Sequence, residues 1–428
     1  MKITRLPLKV NYISAGDKMI SFPGLKLVAD TANRLGILSG LNRVGVKKRR
    51  RGIPTADFIM SLVDNFLVGG SHLTDLEALR SEKATRAHLY DLEVPAPTTA
   101  GEFLRKFSVG HIKQLERVIG NAVVKGAELI GGAGVITLDL DSSIFEVYGL
   151  LKEGAHYSYK KVWGFHPLLC FWAEQRLLVG AKLRPGNRNS DYKATSFIAG
   201  CLSRLPKDSH IRMRMDSGFY NKKIIAYLLD KGVEFSVSGK LTTALNRAIE
   251  AVGPDQWKPY PWEKDAHWCE FPYHPKDWPG TFRMIVKRVP HYEGNQRVIG
   301  EFRYNPVLTN RKGAGSSLIK HHLGRGGAEN YIEEFKNGLG ASHLPSHSFS
   351  ANWAWLVIAQ LAYNLAQWLK LLVLPGGEVH KQLKHLRLHW LCVAARIIHS
   401  GRRRIVALAR SPDDAARFNR AQAIIFAL

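Results

Sequence analysis

Two carboxylates, Asp139 and Asp141, interrupt the run Val135-Ile136-Thr137-Leu138-Asp139-Leu140-Asp141-Ser142-Ser143 at i and i+2. As a strand this run alternates faces, with both carboxylates on one side and Ile136, Leu138 and Leu140 on the other. Carboxylates are poor strand formers, and two on one face of an apolar strand cost free energy unless a cation offsets them. The pattern points to a divalent-metal site. Asp216 is a candidate partner, closing the run Ile211-Arg212-Met213-Arg214-Met215 just before Ser217-Gly218. Side chains at such strand ends reach the ligand-facing edge of α/β folds. Glu329 is a third candidate, with Arg325 four residues before it and Lys336 seven after. On one continuous helix those spacings put all three along a single face. Glu333 and Glu334 compete for the third position, but adjacent helical residues point about 100° apart, so at most one of them can share a face with Arg325.

The elements that must position these groups follow from periodicity. Residues 1–130 read as a mostly helical, DNA-binding region, with helices over Thr31 to Leu38 and Ala56 to Leu67 and the basic run Lys47-Lys48-Arg49-Arg50-Arg51 between them. Thr99 and Glu102 form a capping-box pattern that predicts a helix from Gly101 to about Ile119. In 131–253, strand patterns fall at Val135, Trp163 to Trp172 and Arg176 to Leu183, the last two joined as a hairpin. A helix over Ser190 to Leu205, a strand ending at Asp216, a helix over Lys222 to Leu229 and a strand over Val233 to Val237 follow. Three strands, helix, strand, helix, strand is the layout of a ribonuclease-H-like α/β core. Residues 254–310 read as a β-rich insertion holding Trp257, Trp262, Trp268 and Trp278. The core resumes over 311–375 with the helix bearing Glu329, and 376–428 is a basic helical tail.

The bulk properties narrow the partners. The 428 residues carry 61 Lys and Arg against 36 Asp and Glu, a formal charge of +25 that favours a polyanion such as nucleic acid. Cys170, Cys201, Cys269 and Cys392 lie far apart and match no metal-ligand spacing, so they read as core thiols of a reducing compartment. The amino terminus lacks the apolar run of a signal peptide. Ala351 to Leu374 is long enough to span a bilayer. Gln360, Asn364 and Gln367 nevertheless put a polar stripe along it, which predicts a buried helix and no membrane partner.

A resemblance then becomes specific. His322, Arg325, Glu329 and Lys336 fall on the spacing Tyr, two residues, Arg, three residues, Glu, six residues, Lys that marks IS4-like DDE insertion-sequence transposases, with histidine in the tyrosine's place. Arg214-Met215-Asp216-Ser217-Gly218-Phe219, Gly164-Phe165-His166-Pro167, Leu183-Arg184-Pro185-Gly186-Asn187 and Ala362-Tyr363-Asn364-Leu365 add to it. Together they resemble the IS1380 family over roughly residues 130 to 375. The resemblance selects Asp141, which precedes Ser142-Ser143, over Asp139. It implies two Mg²⁺ (or Mn²⁺) ions held by Asp141, Asp216 and Glu329, with Asp141 bridging both. It further implies phosphate contacts from His322, Arg325 and Lys336. The implied activity is binding of terminal inverted repeats, cleavage at the element's ends and transfer of 3′-hydroxyls to target DNA. The implied partners are double-stranded DNA, both element ends and target, and at least a second copy of the chain on DNA, in the bacterial cytoplasm. A nuclease without strand transfer, or a catalytically silent DNA-binding derivative, are the alternatives. The four tryptophans read as packing residues. Related transposases do stack one on a flipped base.

Overall fold

The computed structural model describes residues 19–47, 52–82, 92–132, 134–293, 296–400 and 403–428. The basic run 48–51 and Arg402 lie outside the described residues. The amino-terminal part is helical, but the helix expected over Thr31 to Leu38 is broken, one helix ending at Arg34 and the next starting at Ile37 after Gly36 at φ 72°. Helix α1 (Thr55–Val68) is buried over nearly its whole length. The helix predicted from Gly101 to Ile119 is in fact two. Helix α2 (Pro97–Arg105) starts on a proline suited to a first turn, and α3 (Val109–Leu129) starts at Ser108, whose Oγ accepts from the His111 N–H. The operative capping box is Ser108 with His111, and Thr99 and Glu102 lie inside α2.

The sheet forms around strand β1 (Val135–Ser142), in which Ile136 through Leu140 are all buried. A strand covered on both faces needs this near-continuous aliphatic run. Strands β2 (Leu168–Trp172) and β3 (Leu177–Lys182) make the expected hairpin, and Pro167 separates β2 from the short strand Trp163–Phe165. Helix α4 (Ala194–Leu202), strand β4 (His210–Met215), helix α5 (Lys222–Asp230) and strand β5 (Glu234–Ser238) complete the predicted series. After them come β6 (Lys258–Pro259), β7 (His267–Tyr273), β8 (Phe282–Glu293) and β9 (Gln296–Thr309).

All nine strands form one sheet in the order β6-β7-β8-β9-β5-β4-β1-β2-β3. Strands β1, β4 and β5 are parallel, and β2 runs against β1. The order β3-β2-β1-β4-β5 is that of the ribonuclease-H-like fold. The β-rich segment does not stand apart from it. Through Val307↔Ser238, Leu308↔Val237 and Thr309↔Ser236, β9 adds to the open edge of β5 and carries the same sheet outward.

Helix α6 (Gly315–Leu323) and helix α7 (Gly326–Glu333) follow, and α7 runs into a π-helical turn at Glu334–Gly338. Helix α8 (Phe349–Leu372) packs against α1, α3 and β3. Its polar stripe has a definite task. Leu178 sits in β3 beside a register shift, where its backbone would otherwise lack partners. Its N–H donates to Asn364 Oδ1 at 2.8 Å, and its carbonyl accepts from Asn364 Nδ2 at 2.9 Å and Gln360 Nε2 at 2.7 Å. These amides close the edge of the sheet inside the core, and no described helix is long and apolar enough to cross a membrane. The tail is not wholly helical. Ala395–Ser400 and Arg403–Leu408 pair as a hairpin, joined by Met19–Ile20, before helix α9 (Pro412–Ala427). Ile397, Ile405 and Val406 supply the β-branched content that favours strands there.

Replacing Asn364 tests the edge-closing role. Asn364→Ala leaves a buried N–H without its acceptor and is expected to cost about 1–3 kcal/mol. The reading is a lower urea midpoint, and an unchanged midpoint would show that the amide contributes nothing.

Candidate active site

The parallel register of β1 and β4 builds the centre. Asp139 lies directly opposite Arg214, and the last matched pair is Leu140 with Met215. Asp141 and Asp216 are the next residues on each strand, so they leave adjacent strand ends on the face that carries Asp139 and Arg214. Two carboxylates side by side repel. Burial together with the Asp216 charge pushes the Asp141 carboxyl up to about 6, with Glu329 adding to the rise and Arg325 opposing it. The three acids thus share one electrostatic neighbourhood. Asp141 Oδ1 accepts from the Ser142 N–H at 2.7 Å, and its Oδ2 takes Arg325 Nη1 at 3.0 Å. Asp216 caps the turn Ser217–Phe219, accepting from the Gly218 N–H at 2.8 Å.

Asp139 is not free to serve as a metal ligand. Its oxygens receive Arg214 Nε at 2.6 Å and Nη2 at 2.7 Å, in a buried two-point ion pair. Burial pushes its carboxyl above the ordinary range, and the guanidinium pulls it back. The remaining arm of Arg214, Nη1, donates to the His321 carbonyl at 2.7 Å at the carboxyl end of α6. A Cβ on Gly324 would come within 2.7 Å of that same nitrogen, so only glycine lets the guanidinium sit there. The ion pair therefore ties β1 and β4 to the segment that carries Arg325 and Glu329.

Glu329 is exposed in the first turn of α7. With Ser217, Lys240, Tyr304 and Arg325 it lines a cleft of about 620 Å³. Lys240 and Tyr304 escaped the sequence reading, although Lys240 follows a strand end with a glycine, the same signal that marked Asp216. The competitors of Glu329 are engaged elsewhere: Glu333 accepts from Asn337 Nδ2, and Glu334 accepts from the Leu383 N–H.

Two residues lie differently from the expectation. His322 is buried, with Nδ1 bonded to Ser236 Oγ and Nε2 to Ser238 Oγ, each at 2.9 Å. Both ring nitrogens are used within the fold, so a phosphate contact would require breaking one of these bonds. Burial and the nearby arginines push its pKa down to about 3. Lys336 falls in the π-helical turn Glu334–Gly338 beyond α7 and is not among the residues that line the Glu329 cleft. It lines a second cleft of about 590 Å³ with His72, Lys152 and His343. Of the tryptophans, Trp257 and Trp268 are buried and Trp278 packs on Tyr220. Trp262 is 46% exposed beneath Lys320 Nζ.

The strand order and the acids at its carboxyl edge define a ribonuclease-H-like polynucleotide-processing fold. The chain belongs to the family described as transposase DDE domain group 1, whose model matches residues 5–428. It is a DNA transposase. No curated protein matches it in sequence. Among solved structures, a piggyBac transposase synaptic complex with hairpin DNA is similar at 11% identity and a TM-score of 0.44, over 87% of this chain and 79% of that one.

Two measurements check this geometry. Asp139→Asn strips Arg214 of its counter-charge and is expected to cost about 3–5 kcal/mol, with Asp139→Leu plus Arg214→Met recovering most of it. Equal stability of wild type and the single variant would contradict the buried pair. The second concerns pH. A histidine ordinarily protonates near 6.5, whereas folded His322 stays neutral down to about 3. The unfolded chain therefore binds the extra proton in that window. This stabilisation is complete above pH 6.5 and is lost as pH falls toward 3. His321, pushed down to about 4, acts in the same direction. His322→Gln should flatten the fall of the melting temperature across that range, and an identical slope would refute it.

Proposed function

We propose that Asp141, Asp216 and Glu329 are the catalytic carboxylates of a cut-and-join reaction at the ends of an insertion sequence of IS1380 type. The observation that carries this reading is the side-by-side placement of Asp141 and Asp216 at parallel strand ends, with Arg325 on the former and Glu329 in its field. The donor set is all carboxylate oxygen and carries an excess of negative charge, which suits a hard divalent cation. As placed, no three described acid, histidine or cysteine side chains converge closely enough to hold a metal, and Arg325 supplies the local positive charge. Asp141 with Asp216 would hold one Mg²⁺ or Mn²⁺ and Asp141 with Glu329 a second. When bound, such a pair activates a water or 3′-hydroxyl and stabilises the leaving oxygen.

The chain's own groups set up the rest. Arg325 offers a planar fork to the phosphate beside the scissile bond, in exchange for its bond to Asp141. Lys240, which lines the same cleft as Glu329, neutralises a neighbouring phosphate, and Lys336 does the same from the second cleft. His322 acts from within, clamping α6 to β5 through Ser236 and Ser238. Element ends and target are double-stranded DNA, and pairing two ends needs at least two protomers on DNA in the bacterial nucleoid.

The test is a DNA-cleavage assay on duplexes carrying the element's terminal repeats. Asp141→Asn and Glu329→Gln should each abolish Mg²⁺-dependent cleavage while leaving end binding within about threefold, since phosphate contacts supply most of the affinity. Wild-type cleavage by either variant would remove that residue from the centre. Cleavage without any joining to a target plasmid would favour the nuclease reading.

A further inference from the structure

Between β1 and β2 the chain leaves the sheet. It builds a small three-stranded unit from Phe145–Glu146, His156–Tyr157 and Trp163–Phe165 before returning. This excursion begins three residues after Ser142, so it grows directly from the strand end that bears Asp141. Large side chains crowd its outer surface: Tyr148 is 85% exposed, Tyr159 74%, Tyr157 63%, and Leu150 and Leu151 are also in water. Packing does not require this, because the unit's own core residues, Phe145, Val147 and Phe165, are buried. Isolated exposed apolar residues are ordinary, but so many on one short excursion mark a contact surface.

The excursion is held in shape. Trp163 Nε1 donates to the Gly149 carbonyl at 3.1 Å, fixing the turn that carries Tyr148, and the Tyr157 ring packs edge-on to Trp163 at 5.1 Å. Its tip, Ser158-Tyr159-Lys160-Lys161-Val162, closes through the Lys161 N–H to the Ser158 carbonyl at 2.9 Å, with Lys161 in the left-handed region at φ 59°. A β-carbon there is strained where glycine's hydrogen would not be, so a lysine at this position carries a backbone cost. Lys160 Nζ lies over the Tyr159 ring at 5.8 Å. The Tyr159 ring stands 6.0 Å from that of His166, a residue that feels the charge of Asp216. Of the nearby acids, Glu153 is spent on the Phe349 N–H, leaving Glu146 on the exposed side.

Resting on the reading of Asp141 and Asp216 as the reaction centre, we propose that this tyrosine-lysine excursion is the seat for unpaired nucleotides of the DNA strand entering that centre. Tyr148, Tyr157 and Tyr159 stack on bases, and Lys160 and Lys161 pair with phosphates. Tyrosine suits this role because every base has a π-face, so stacking tolerates any sequence, while flanking lysines track the backbone. A face built only to meet a second copy of the chain would gain nothing from two exposed lysines at its tip.

The test uses the full chain without divalent metal, so binding is read apart from catalysis. The probes are a blunt DNA duplex and the same duplex with a short single-stranded extension. Wild type should bind the extended duplex at least about tenfold more tightly. The triple variant Tyr148→Ala/Tyr157→Ala/Tyr159→Ala should lose that preference while still unfolding in one cooperative transition. Lys160→Ala/Lys161→Ala should make the salt dependence shallower by roughly one to two in slope, at about 0.7 per single-strand phosphate contact. Equal binding of both duplexes by wild type, or a preference unaffected by the triple variant, would overturn the proposal. So would a triple variant that keeps the preference but falls from a dimer to a monomer by light scattering, which would make the face a contact between copies. If Asp141→Asn still cleaves, the reading of the centre fails while the duplex preference remains separately readable.

Discussion

The register between two parallel strands governs this structure. Because β1 and β4 pair with Asp139 opposite Arg214, Asp141 and Asp216 must end up side by side one step further on. A slip of one residue would turn every side chain to the other face and put aliphatic groups where the carboxylates stand. The buried Asp139–Arg214 pair penalises that slip, since each partner would be left charged and alone in the core. The same guanidinium reaches the His321 carbonyl, so the choice of register also fixes where α6 ends and where Arg325 and Glu329 begin. One arginine thereby couples the strand acids to the helix acid.

The rest of the molecule supports this arrangement from both sides. On one side, α8 closes the β3 edge with side-chain amides, which lets a sheet end inside the core without exposed backbone groups. On the other, β9 extends the sheet past β5, and the cleft next to Glu329 is walled partly by Tyr304 from that extension. Strands beyond the core thus serve the site by shaping its approach.

Much of this was legible in the residues. The aliphatic run of β1, the alternating run of β4, the β2–β3 hairpin and the polar stripe of α8 are periodic patterns, and periodicity survives folding. Asp141 stood out as one of two carboxylates on one face of an apolar strand, and Asp216 as a carboxylate ending a strand before a Ser-Gly turn. Other features depend on contacts between distant residues. The role of Asp139 required knowing its partner across the sheet. Nothing local in His322 announces that Ser236 and Ser238 will take both its nitrogens. The spacing from Glu329 to Lys336 assumed a uniform helix, and the π-helical turn breaks that assumption. The β-rich segment has no sequence mark that it would join β5 instead of standing alone, because edge pairing is decided by backbone groups. The Thr99–Glu102 pattern lost to Pro97, which starts its helix earlier.

If Asp141, Asp216 and Glu329 surround one divalent-metal centre, an ion that cuts the polypeptide where it binds will mark all three. Fe²⁺ substituted for Mg²⁺ generates hydroxyl radicals with ascorbate and peroxide, and these cut the polypeptide next to the bound ion. Fragment mapping of the protein on end DNA should place cuts near residues 141, 216 and 329 together, suppressed by excess Mg²⁺. Cuts confined elsewhere, or unaffected by Mg²⁺, would mean that these three residues do not share a metal centre.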